Sequence, residues 1–105
     1  MRMAKIFINK HILAGTLTEL DAKAGYIIEY VEGYTGPPIS LTMPITRKIY
    51  EFNIFPPFFE GLLPEGAQLE ALLRQAKLDR DDYFGQLIMI GRDLIGAVSV
   101  EEISA

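Results

Sequence analysis

The sequence predicts an α+β domain: an antiparallel β-sheet of about five strands, with two principal helices in the C-terminal half. Three observations carry that reading. In the first half, apolar residues recur at every second position, as with Ile6 and Ile8 set between Lys5, Phe7 and Asn9. That is the period of a strand with one buried face. The segments joining these runs are too short for crossover connections, so neighbouring strands pair antiparallel. In the second half the spacing changes. Leu69, Leu72, Leu73 and Ala76 fall at i, i+3, i+4 and i+7, one stripe of a helix.

The elements follow in order. The alternation within Met1 to Lys10 gives a first strand, and Asn9-Lys10-His11 can turn the chain. Ile12 to Glu19 gives the second strand, with Gly15 as a bulge or a point of close backbone approach. Asp21 to Gly25 is a turn, and the β-branched and aromatic run Tyr26 to Val31 is the third strand. Two glycines and two prolines in Glu32 to Pro38 break the pattern. Ile39, Leu41 and Met43 then alternate with Ser40 and Thr42, predicting a short fourth strand stopped by Pro44. Lys48 to Phe52 reads as a further short strand. Pro64 and Glu65 fall where the first long helix begins, a place that tolerates proline. Asp79 reads as the N-cap of the next helix, with Asp81 and Asp82 near its positive end. Phe84, Leu87 and Ile88 form that helix's stripe, and Gly91 can stop it. Val98 and Val100 alternate with Ser99 and Glu101 as a final strand.

The 105 residues fit one domain, residues 1–105, and half of them are apolar. There are no cysteines, which excludes disulfides, thiolate metal sites and cysteine catalysis. The net charge is −4 and the ten Lys and Arg residues are scattered, against the clustered cations that nucleic-acid binding needs. Met1 to Lys10 lacks the continuous apolar stretch of a secretory signal, and no run approaches the roughly 20 residues that span a bilayer. The expectation is a cytoplasmic protein with no membrane contact.

The sequence offers no catalytic constellation. His11 is the only histidine and follows Lys10 in a predicted turn, too few donors for a zinc site or a triad. No phosphate-cradling glycine loop or kinase catalytic loop occurs. Asp79, Asp81 and Asp82 lack the glycine and closing glutamate of a calcium loop. The expectation is a non-enzyme without a metal or cofactor.

The segment Phe55-Pro56-Pro57-Phe58-Phe59-Glu60-Gly61-Leu62-Leu63-Pro64-Glu65-Gly66 stands out. Its prolines suit neither a sheet ladder nor a helix interior, so its apolar residues lie on a loop or one short turn. Two readings stay open, and both can hold. Phe58, Phe59 and Leu62 can plug the core, and the Leu62–Glu65 tip can be an exposed contact patch. The block Gly91-Arg92-Asp93-Leu94-Ile95-Gly96-Ala97-Val98 places Arg92 beside Asp93 between glycines. It reads as a local ion pair or a hydrogen-bonded loop bracket, with a catalytic pair the less favoured alternative.

The string from Pro57 to Gly66 resembles the signature of the N-terminal subdomain of HipA-type toxin kinases. Gly15-Thr16-Leu17, Ser40-Leu41-Thr42-Met43-Pro44 and Gly91-Arg92-Asp93-Leu94-Ile95-Gly96-Ala97-Val98 match further family segments in the family's order. In that family the subdomain is fused to a larger kinase body, whereas this sequence stops just after the final strand. That resembles the free-standing HipS form of the split HipBST systems; a domain cut from a fused protein would look alike. The resemblance implies an antitoxin that binds and neutralises a HipT-like kinase toxin. A HipB-like DNA-binding protein is implied as a possible third member. Phe58, Phe59, Glu60, Leu62, Leu63, Pro64 and Glu65 are the expected partner-binding residues. Gly91, Arg92, Asp93 and Gly96 are the expected structural motif. A scaffold that stabilises the kinase or bridges it to the DNA-binding partner is the alternative.

Overall fold

The computed structural model describes residues 1–94 and 96–103. Strands β1 (Arg2–Ile8), β2 (Ile12–Glu19), β3 (Tyr26–Tyr30) and β4 (Ile49–Phe52) form an antiparallel meander. Strand β5 (Val98–Glu102) returns to pair antiparallel with β1, so the sheet order is β4-β3-β2-β1-β5. Between β4 and β5 run α1 (Pro57–Glu60), α2 (Gly66–Ala76) and α3 (Tyr83–Ile90). The α+β class and the five-stranded antiparallel sheet are as the sequence predicts.

Alternation decides the core. Ala4, Ile6, Ile8, Leu17, Ile28, Val98 and Val100 are buried on one face, while Lys5, Thr16, Glu29 and Ile49 occupy the other. Asn9 and Lys10 both take positive φ to turn β1 into β2, and His11 is exposed there. The register slips between Ile6 and Phe7, next to Gly15, where a Cβ would collide with the carbonyl of Glu29 on β3. The close approach expected at Gly15 is therefore real.

Residues 39–43 are not a strand. Ile39 and Met43 are buried but Leu41 is 93% exposed. The Met43 N–H donates to the Ser40 carbonyl at 2.9 Å, and the Ser40 hydroxyl accepts from the Thr42 N–H at 3.2 Å. That is a turn built by the serine side chain. The Tyr30 hydroxyl accepts from Ile39 N–H and donates to the Met43 carbonyl. The alternating pattern thus records two anchors and an exposed tip.

The helix starts differ from expectation by a few residues. Glu65 is the N-cap of α2, and Pro64 lies just before it. The stripe Leu69, Leu72, Leu73 and Ala76 is half-buried, as its spacing predicts. Asp82, not Asp79, is the N-cap of α3: its carboxylate accepts from the Gly85 N–H at 3.1 Å. Asp79 sits one turn upstream, its carbonyl accepting from Asp82 N–H. Gly91 ends α3 in a right-handed conformation. Its necessity is spatial, since a Cβ would strike the Val100 carbonyl of β5.

Asp82 also belongs to a polar clamp that joins α3 to the sheet. The Arg2 guanidinium of β1 reaches Asp82 Oδ1 at 2.7 Å and Glu19 Oε1 at 2.7 Å, and lies 4.9 Å over the Phe84 ring. Glu19 is buried and accepts from the Tyr26 hydroxyl at 3.0 Å. The Arg2 hydrogen bond holds the Asp82 carboxyl below its ordinary value, against the opposing effect of burial. Burial first, then the bond to Glu19, pushes the Tyr26 phenol up to about 12. A buried carboxylate is tolerated here because it is paired and hydrogen-bonded.

Candidate partner-binding surface

The proline-flanked string follows β4 directly. Phe55 and Pro56 are buried, and Pro57 opens the single turn of α1 at a position where a missing N–H costs nothing. Phe59 is fully buried, with the Phe58 ring against it at 5.1 Å. Phe55 meets Tyr26 edge-on at 5.2 Å and Tyr83 at 5.7 Å. The plug reading therefore holds in full for Phe59, whose surface no partner can touch in the folded chain. Phe58 and Leu62 are only half-buried.

Beyond Phe59 the backbone continues in overlapping turns: Leu62 N–H donates to the Phe59 carbonyl and Leu63 N–H to the Glu60 carbonyl. These bonds preform the tip without a longer helix. Leu62, Leu63 and Pro64 are half-buried, and Glu60 and Glu65 are exposed. The tip forms one bank of an open groove of about 700 Å³ together with Gln68 of α2. The opposite bank is Ile90, Asp93 and Leu94. The fold has thus brought the two sequence motifs together: the proline-flanked string faces the glycine-bracketed block. The groove's lining combines Leu62, Leu63, Pro64, Ile90 and Leu94 with the acidic Glu65 and Asp93, and among the described residues no basic side chain lines it.

The glycine-bracketed block behaves otherwise than its residue types suggested. Arg92 is exposed and its nearest carboxylate is Glu101 on β5, at 3.9 Å; no Arg92–Asp93 ion pair forms among the described residues. The bracket is made by backbone instead, with Asp93 N–H on the Ile90 carbonyl and Val100 N–H on the Gly91 carbonyl. Gly96 is exposed at φ 102, and Ile95 lies outside the described residues. Gln68, Ile90 and Leu94 were missed as groove residues. The available signal was position: Leu94 lies inside the glycine-bracketed block, and Ile90 and Gln68 lie one and two residues beyond the ends of the two motifs.

No group of three or more side chains suited to a metal occurs among the described residues, and no helix is long and apolar enough to cross a membrane. What the surface offers is shape, apolar area and negative charge.

Residues 4–101 match the family described as the HipA N-terminal domain. A protein of Haemophilus influenzae named "Uncharacterized protein" is 29% identical over 102 residues, covering 97% of this chain and 93% of that one. "Putative kinase Y4dM" of Sinorhizobium fredii is 39% identical over 77 residues. That match covers 68% of this chain but 19% of the larger protein. A solved structure titled "N-terminal domain of HipA toxin" superposes with a TM-score of 0.77 at 25% identity, covering 99% of this chain and 94% of the other.

Proposed function

The chain belongs to the HipA N-terminal domain family, and from that premise we propose that it is an antitoxin, which binds a HipT-like serine/threonine kinase and silences it by contact. The observation that carries this reading is the preformed Leu62–Glu65 tip, which follows the buried Phe59 and borders a groove lined by leucines, Glu65 and Asp93. In this proposal the tip covers the kinase's active-site cleft. Leu62 and Leu63 supply the apolar anchor that typically dominates an interface. Glu60 and Glu65 meet the basic groups that otherwise hold nucleotide phosphates. The chain itself performs no phosphoryl transfer.

The test is a phosphorylation assay with purified kinase and increasing amounts of this chain. The expected result is loss of turnover at an equimolar ratio. Glu65→Gln, at an exposed position where the side chain makes no capping hydrogen bond, shifts the inhibition curve to higher dose with little change in melting temperature. Leu62→Ala and Leu63→Ala shift it further, although both side chains pack partly against the core, so each variant is checked for fold by circular dichroism. Kinase turnover that persists at saturating complex sinks this reading and makes the chain a scaffold, able to bridge the kinase to a HipB-like DNA-binding protein.

A further inference from the structure

The two outer edges of the sheet end differently. On β5 the outward Val100 N–H is taken by the Gly91 carbonyl at 2.9 Å. On β4 the bond from Tyr30 N–H to the Lys48 carbonyl, at 2.9 Å, sets the ladder's phase. Lys48, Tyr50 and Phe52 point their backbone groups at β3, so Ile49 and Glu51 point theirs away from the sheet. Among the described residues, the side chain found on those outward groups is Arg47, whose Nε donates to the Ile49 carbonyl at 2.9 Å. Ile49 and Glu51 are exposed. Such an edge is a template for one more strand.

We propose that two copies of this chain pair antiparallel through β4 about a two-fold axis, fusing two five-stranded sheets into one. The edge is complementary to itself. In the register that sets Ile49 opposite the second copy's Ile49, Arg47 faces the second copy's Glu51, and symmetry repeats the pair. Strand alternation puts Ile49 and Glu51 on one face. Arg47 lies in the bend just before β4, with its guanidinium over the Tyr50 ring at 5.2 Å. Pairing extends the strand back to Arg47, so that two ion pairs flank a central isoleucine contact. The displaced hydrogen bond is replaced, and the contact of Arg47 with the Tyr50 ring is exchanged for an ion pair. The Ile49 carbonyl exchanges the Arg47 Nε for the second copy's Ile49 N–H, and the freed guanidinium gains a carboxylate. On the other face, β4 borders an apolar hollow of about 300 Å³ lined by Met43, Tyr50, Phe52 and Phe58, which the second copy covers. No β4 residue lines the Leu62–Glu65 groove, so this association is independent of the kinase contact.

The experiment is sedimentation velocity on the isolated chain from micromolar to millimolar concentration. The expected result is a monomer–dimer equilibrium. Arg47→Glu and Glu51→Arg each weaken it by about tenfold, because like charges then stand opposite at two positions. The double variant R47E/E51R restores opposite signs in the same register and recovers dimerisation. Glu51→Pro removes an outward N–H without touching the β3 ladder and abolishes it. Melting curves confirm that each variant folds. A wild-type chain that stays monomeric throughout overturns the proposal. So does a double variant no better than the single ones, or edge amides that gain exchange protection only when kinase is added.

Discussion

The helical half is held to the sheet at two neighbouring places by opposite means. At one, Arg2, Glu19 and Asp82 form a polar clamp with every carboxylate partnered. At the other, Phe55, Pro56 and Phe59 form an apolar plug. Tyr26 belongs to both, its hydroxyl on Glu19 and its ring edge-on to Phe55. The plug gains from area and is indifferent to direction. The clamp gains little net energy, because desolvation offsets much of its attraction, but it fixes geometry. The plug therefore holds the string against the sheet, and the clamp sets where α3 starts and hence where Ile90 and the far bank of the groove lie.

That contrast can be broken at graded cost. Phe59→Ala removes a fully buried aromatic and is expected to destabilise by about 3–5 kcal/mol, read from denaturant midpoints. That is a large share of a small domain's stability. Arg2→Met keeps the apolar stem without the guanidinium and strands buried Glu19 and the Asp82 cap. The expected loss is about 2 kcal/mol, less than for a fully buried pair because the guanidinium is 37% exposed. If Arg2→Met proves as costly as Phe59→Ala, the division of labour drawn above is wrong.

The pH response separates the two regions next. Asp82 is held below its ordinary value in the fold, so its contribution is present above the unfolded carboxyl's pKa. It is lost as pH falls through the depressed folded value, in the range below about pH 4. Asp82→Asn should flatten that acid slope of stability while lowering the plateau at neutral pH. Tyr26 is displaced the other way, to about 12. Its contribution is complete below pH 10 or so and is lost as pH rises through the folded value. Tyr26→Phe should lessen the alkaline slope, to which buried Tyr30 also contributes, while retaining the ring contact with Phe55. The smallest effect is expected at Lys48, which bonds Glu32 and lies 3.8 Å from Glu29 on the open surface. Lys48→Ala should leave the melting temperature unchanged within error, because solvent and salt already screen that cluster.

The same contrast explains what could be read from the sequence. The sheet and the apolar stripe of α2 were legible because period and burial are local properties: Ile6 with Ile8, and Leu69 with Leu72, declare their face by spacing. The string was legible as a plug because three phenylalanines among prolines have few other places to go. The clamp was not legible. Three aspartates at 79, 81 and 82 are equally good caps by type. What selects Asp82 is Arg2, at the opposite end of the chain, together with a Gly85 N–H in reach. The turn at Ser40–Met43 was missed for a related reason. Its alternation is genuine, but a serine hydroxyl and the Tyr30 phenol captured the backbone groups that a neighbouring strand would have used. The groove was half legible, since its two banks are separate motifs and only tertiary contact makes them one surface.

The pairing of β1 with β5 has a bearing on how the protein is made. Within this domain β1 is made before the other strands yet is an inner strand of the finished sheet, and its partner on one side, β5, is the strand of the domain made after all the others. Until then Ile6 and Ile8 sit beside a vacant ladder, and the Gly91 carbonyl waits for Val100. Closure thus requires a contact between distant parts of the chain, which slows folding and leaves a sticky intermediate. A binding partner or chaperone present during synthesis would have most to protect in that interval.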